Sequence, residues 1–233
     1  MKRPRVLFIN RSYWPDAEAT GQLLTELCED LATRFDVTVL AGQPNQNPDG
    51  HDFSTSGFER RNGVTIHRVW NTRFSKRSFV GKAVNLLTFW LLASWAALRL
   101  PKPEIVVVET DPPLLCLLGA FLRHWFGCRL IVYLQDIYPD VAVAVGKLPR
   151  GALTDGLRRL FFGVYRRADR VIVLSNEMRS LLVASRIDPR RIECISNWVD
   201  TEAVHPVGNQ DNQFRAEHHH ACQFLVMYSG NVG

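Results

Sequence analysis

Short runs of β-branched and aliphatic residues recur along this chain, and stretches with helical periodicity separate them. VLFIN (residues 6–10), VTVLA (37–41), VTIHRV (64–69), EIVVVE (104–109), RLIVYL (129–134) and RVIVLS (170–175) stand out, and IECIS (192–196) closes the series. Most are apolar at consecutive positions rather than at alternate ones. A strand that is apolar on both faces has to be covered on both faces, which is the situation of a parallel strand between layers of helices. Residues 22–34, with Leu23, Leu27 and Leu31 spaced to share a face, and residues 114–125, 151–168 and 176–185 supply the helices. Strand–helix alternation kept up along most of the chain implies an α/β fold with a doubly wound, mostly parallel sheet of Rossmann type. Residues 42–62, rich in Pro, Asn, Gly and Asp, read as a loop.

The alternation gives out after Pro206. Residues 207–222 are polar and unpatterned and read as a linker, and QFLVMYSGNVG (223–233) resumes with an apolar strand and a glycine loop carrying Ser229, Gly230, Asn231 and Gly233. The expected organisation is therefore one α/β domain over residues 1–206, a linker, and the opening strand and loop of a second domain. An end inside that loop is the expectation for a truncated chain, because the strand before it lacks its neighbours.

Hydrophobic residues make up 46% of the 233 and charged ones 22%, a balance that excludes wholesale disorder. The net charge of +5 is concentrated in pairs such as Arg158-Arg159, Arg166-Arg167 and Arg190-Arg191. Such pairs suit phosphates or an acidic membrane face, and equally a solvated basic surface. No nucleic-acid-binding motif accompanies them. The five cysteines are scattered, odd in number and without a CxxC pair, as expected of reduced thiols in a cytoplasmic protein. The N-terminus lacks the apolar length and cleavage site of a signal peptide.

Residues 79–100 carry sixteen consecutive uncharged positions between Lys82 and Arg99. A membrane span needs about 20. Two readings stay open: a helix packed on the sheet, or a helix lying on a membrane surface through Phe89, Trp90 and Trp95. Lys76, Arg77, Lys82, Arg99 and Lys102 would then face anionic headgroups.

Ligands of open α/β sheets bind beyond the carboxyl ends of the strands, so the segments that follow the strands carry the candidate chemistry. Neither GxGxxG nor GxxxxGK[ST] is present. After the first strand, RSYWPDAEATGQLL brings Ala19, Thr20 and Gly21 to a helix start. Thr20 is placed to cap the helix, Gly21 permits close backbone approach, and free amides there favour a phosphate. ETDPPL (109–114) reads as a proline-fixed turn with Asp111 as a helix cap. YLQDIYPD gathers Gln135, Asp136, Tyr138 and Asp140 at a strand end, where a carboxylate is placed to accept a hydrogen bond from a substrate hydroxyl; Asp140 alternatively caps the next helix. His218–His220 with Cys222 suggest zinc only superficially, since three adjacent histidines cannot converge on one ion, and no metal is expected.

Five stretches in order, RSYWPDAEATGQLLTELCEDLATRFDVTVL, TDPPL, YLQDIYPD, SNWVDTEAVHP and VMYSGNVG, resemble the N-terminal half of family-four retaining glycosyltransferases of GT-B fold. YLQDIYPD in particular is similar to a stretch of enzymes that build colanic-acid-type and related surface polysaccharides. The resemblance implies transfer of a sugar from a nucleotide-sugar to a polyprenyl-diphosphate-linked or saccharide acceptor at the inner face of the plasma membrane, without a cofactor. It places Ala19, Thr20 and Gly21 near the donor phosphates and the acceptor, and makes Ser229, Gly230, Asn231 and Gly233 the donor loop. Many members carry His-Asp at the end of the fifth strand of that domain; Gln135-Asp136 stands there in this chain, so the resemblance passes the catalytic role to Asp136, with Gln135, Tyr138 and Asp140 contacting the acceptor. In such enzymes the leaving diphosphate takes the acceptor proton, so positioning outweighs base catalysis. A chain of this length lacks the donor domain and is expected to be inactive alone. The alternative is a non-catalytic acceptor-binding or scaffold subunit of a split transferase.

Overall fold

The computed structural model describes residues 3–16, 18–44, 57–72, 74, 79–202, 204–208, 211–218 and 224–227. Its elements in chain order are β1 (Arg5–Ile9), α1 (Ala19–Leu31), β2 (Asp36–Gly42), β3 (Phe58–Arg61), β4 (Val64–Val69), α2 (Phe79–Arg99), β5 (Ile105–Val108), α3 (Leu115–Phe126), β6 (Arg129–Leu134), α4 (Asp140–Ala144), α5 (Ala152–Arg167), β7 (Arg170–Val173), α6 (Asn176–Ala184), β8 (Ile192–Cys194) and α7 (Gln213–Glu217). A single 3-10 turn, Pro189–Arg191, precedes β8.

The strands form one sheet in the order β3-β4-β2-β1-β5-β6-β7-β8. Every pairing is parallel except β3 with β4. Alternation along each strand splits the core into two layers. Leu7, Ile9, Val106, Val108, Leu130 and Val132 face a layer built by α2, α3, α5 and α6. Val6, Phe8, Val37, Val39, Val107 and Tyr133 face the other side, where α1 packs through Leu24 and Cys28. Both faces are thus apolar, and this is what the unbroken apolar runs of the sequence require.

The doubly wound α/β expectation holds, and several local expectations do not. The loop expected over residues 42–62 contains β3, joined to β4 by Asn62 and Gly63, both at positive φ as a tight two-residue hairpin turn requires. In α1 the buried residues are Gly21, Leu24, Thr25 and Cys28, so the leucine row at 23, 27 and 31 lies to one side of the packed face. α4 was not foreseen.

Helix α2 resolves the open question about residues 79–100 in favour of packing for its inner side. Phe89 is 0% exposed and lies in the core with Ala93, Ala96 and Ala97. The expectation that Phe89 faces a membrane is therefore wrong: the helix is apolar nearly all round, and packing on the sheet takes the face that holds Phe89. Trp90 is half-buried and donates Nε1–H to the Leu114 carbonyl at 3.2 Å. Trp95 remains outward, 58% exposed, with the Arg99 guanidinium 3.5 Å from its ring centre. Among the described residues no helix is long and apolar enough to cross a membrane.

The chain divides into two compact units, Met1–Asn197 and Trp198–Gly233. In the second, the stretch expected as linker holds α7, capped by Asn212, whose Oδ1 accepts from the Arg215 N–H at 3.1 Å. Phe224–Met227, expected as part of a strand, forms none, and its Phe224, Val226 and Met227 are exposed. Ser229, Gly230, Asn231 and Gly233 lie outside the described residues.

Candidate functional site

The strand order reverses between β1 and β5: from β1 the chain winds outward to β2, and later re-enters on the other side at β5. Beyond the carboxyl ends of these strands is where a doubly wound sheet binds its ligand. Three loops meet there, after β1, after β5 and after β6. Each contains a cis X-Pro bond, at Trp14-Pro15, Asp111-Pro112 and Tyr138-Pro139.

The first two loops are tied together. The Arg11 N–H donates to the Asp111 carbonyl at 3.0 Å, and the Arg11 guanidinium meets the Asp111 carboxylate at 3.2 Å. The Ser12 hydroxyl lies 3.3 Å from that carboxylate and 3.1 Å from Glu18, so its single proton serves one acid at a time. On the other side of the loop, the Gly42 N–H donates to the Arg11 carbonyl at 2.9 Å. The buried Arg68 guanidinium of β4 donates to the Trp14 carbonyl at 2.7 Å and pairs with Glu59 at 3.2 Å.

The third loop hangs on β5. The Thr110 hydroxyl oxygen, itself buried, accepts the backbone N–H groups of Gln135 and Asp136 at 3.2 and 3.3 Å. This fixes a turn that presents the Asp136 carboxylate to solvent. The charges of Asp136 and Asp111 both act on Tyr138, whose phenol is raised above its ordinary range first by burial and then by these two acids. Behind the turn, burial lifts the Glu109 carboxyl to about 8; Asp111 adds to the shift and the Gln135 amide opposes it.

The structure thus brings Asp136, Gln135 and Tyr138 to one place. It does not bring Asp140 with them as a free acid. Asp140 opens α4 without capping it, and both its carboxylate oxygens take the Arg158 Nε–H, at 2.9 and 3.1 Å. Thr20 does not cap α1 either: the cap position is Glu18, which leaves Thr20 within the first turn. Asp111 does not cap α3, where the cap position is Leu114; its carboxylate is engaged by Arg11 and Ser12. Ala19 is exposed and Thr20 half-buried. Gly21 is buried, and a Cβ there would stand 3.3 Å from the Asp16 carbonyl, so its close backbone approach is to the chain's own loop. Arg11, Ser12, Glu109 and Thr110 were not foreseen. The available signal was that each lies one to three residues beyond β1 or β5, the two strands that flank the reversal. Among the described residues no three His, Cys, Asp or Glu side chains are grouped to hold a metal.

The family model described as "Glycosyl transferase 4-like domain" matches residues 19–198. A probable glycosyltransferase, WbjE of Pseudomonas aeruginosa, is 31% identical over 136 residues, which cover 58% of this chain and 34% of that protein. Among solved structures, HepE (Alr3699) of Anabaena in complex with UDP-glucose superposes with a TM-score of 0.58 at 13% identity, over 94% of this chain and 51% of that one. Its complex with UDP gives a TM-score of 0.56 at 14% identity, over 94% and 50%. The chain therefore spans about a third of the curated relative and about half of these structures. The structural likeness speaks for the fold and the family match for descent. The chain belongs to the glycosyl transferase 4-like family and has the Rossmann-like architecture of GT-B glycosyltransferases.

Proposed function

We propose that this chain is the acceptor side of a retaining glycosyltransferase that moves a sugar from a nucleotide-sugar to a lipid-linked or saccharide acceptor in surface polysaccharide synthesis. One observation carries the reading: the Asp136 carboxylate is exposed on a turn held by Thr110, beside the reversal of strand order. Asp136 is the group that holds the acceptor hydroxyl in line with the sugar. Orientation of this kind lowers a transfer barrier without a strong base, since the departing diphosphate is itself able to take the proton. Gln135 and Tyr138 line the same turn. HepE was solved with UDP-glucose, which makes a uridine nucleotide-sugar the first donor to try here.

The outer side of α2 supports attachment at the inner face of the plasma membrane. Val80, Leu87, Leu91 and Trp95 are exposed at helical spacing along one face, with Arg99 and Lys102 at its end. A lipid-linked acceptor would be met there.

The test, on the enzyme with a donor-binding domain supplied, is transfer of labelled glucose from UDP-glucose to acceptors in a bacterial membrane fraction. Asp136→Asn is expected to lower kcat by about a hundredfold, the scale of one positioned polar group in a transition state, with the melting temperature unchanged. Full activity in Asp136→Asn would remove Asp136 from the mechanism.

A further inference from the structure

A buried carboxyl stands one residue before Thr110, and the transfer reaction as proposed makes no use of it. Glu109 is 2% exposed. The registers Ile9↔Val108 and Val108↔Val132 place the next rung, Asn10, Glu109 and Tyr133, side by side across β1, β5 and β6. Glu109 Oε1 accepts from the Gln135 amide at 3.5 Å, and Oε2 has no donor. Asn10 is 0% exposed; it gives its Nδ2–H to the Ser12 carbonyl at 2.8 Å and leaves Oδ1 without a donor. The groups acting on Glu109 are the Gln135 amide and the Asp111 carboxylate, while Cys28 of α1 and Tyr133 of β6 lie within reach of its charge. None of these is a cation. An ionised carboxylate here would be a buried charge with no cation among these groups to balance it. A carboxylic acid carries no such charge, and the lift of this group to about 8 agrees with it.

We propose that Glu109 is a positioning residue for the Asp136 turn, and that it holds the turn as a neutral acid. Its side chain grips the Gln135 amide, and the next residue, Thr110, grips the backbone of Gln135 and Asp136. Opening the turn hydrates Glu109 and lets its proton go to solvent. The importance of this for catalysis rests on the reading of Asp136 given above; the coupling itself does not.

The experiment is amide hydrogen exchange of the segment containing Gln135 and Asp136 in the native protein between pH 6 and 8, corrected for intrinsic exchange. A carboxyl held neutral when closed and ionised when open makes opening tenfold easier per pH unit in this interval, about a hundredfold in all, with levelling above it. Glu109→Gln has no proton to lose, and its opening should be independent of pH. Parallel profiles in the two proteins, flat or rising, overturn the proposal, and a flat wild-type profile does so by itself if the variant fails to fold. No sugar is needed, so failure here is distinguishable from failure of the transferase reading.

Discussion

The two faces of α2 invite a single experiment with two readouts. Phe89 is wholly buried against the sheet, while Trp95, six residues on, is 58% exposed. Burying a phenylalanine removes about 150–250 Å² from water, worth about 4–6 kcal/mol at ~25 cal/mol per Å². Truncation to alanine in cores costs about 3–5 kcal/mol. Phe89→Ala should therefore lower the melting temperature by roughly 10 °C, at about 2–4 °C per kcal/mol for a protein of this size. Trp95→Ala loses a ring already largely in water and one contact with Arg99, so less than about 1 kcal/mol is at stake. Flotation with vesicles containing anionic lipid should invert the order: Leu91→Glu with Trp95→Glu should abolish binding, and Phe89→Ala, assayed below its melting point, should leave it intact. Equal destabilisation by Phe89→Ala and Trp95→Ala would refute the packing of α2. Flotation of the double glutamate variant like wild type would end the membrane reading.

Thr110→Val keeps the shape of a buried residue and removes the acceptor of two N–H groups; about 1–3 kcal/mol should be lost in urea unfolding, with Thr110→Ser close to wild type. Gly119→Ala should cost about 1–3 kcal/mol by overpacking, because the added methyl would stand 2.7 Å from Leu130 Cδ1 and 3.0 Å from Val108. The Asp140–Arg158 pair is partly solvated, and Asp140→Asn should change stability by no more than about 1 kcal/mol. Glu109→Gln should be neutral at pH 4, where the carboxyl is protonated folded or unfolded. It should be stabilising at pH 8, because wild-type stability is lost as pH climbs from the ordinary carboxyl range to about 8. The ceiling of that gain is about 5 kcal/mol at ~1.4 kcal/mol per pH unit, and thermal melts across pH check it.

The parallel strands were legible because a strand covered on both sides has to be apolar at consecutive positions, and Val106-Val107-Val108 shows it in three residues. β3 was not, because FERR lies at the edge and buries little, so no apolar period marks it. The inner face of α2 was hidden for the opposite reason: with apolar residues nearly all round, nothing local singles out Phe89. In the site, Asp136 could be read as an acid just past an apolar strand. Arg11 and Asp111 could not be paired in advance, since a hundred residues separate them and only the strand order joins them. Glu109 looked like the last residue of a strand, and its burial depends on α1 and on the loop after β1, both distant in sequence.

The two ends of the sheet have a bearing on how the protein associates. At one end β3 has four residues, three of them charged, and at the other β8 has three. Strands so short offer little ladder for a foreign strand to extend, and the charges on β3 repel a flat apolar intruder. Recruitment by strand addition is therefore disfavoured at both ends. Binding partners are left the loop rim and the outer surfaces of the helices, where recognition depends on side chains and a point substitution can redirect it.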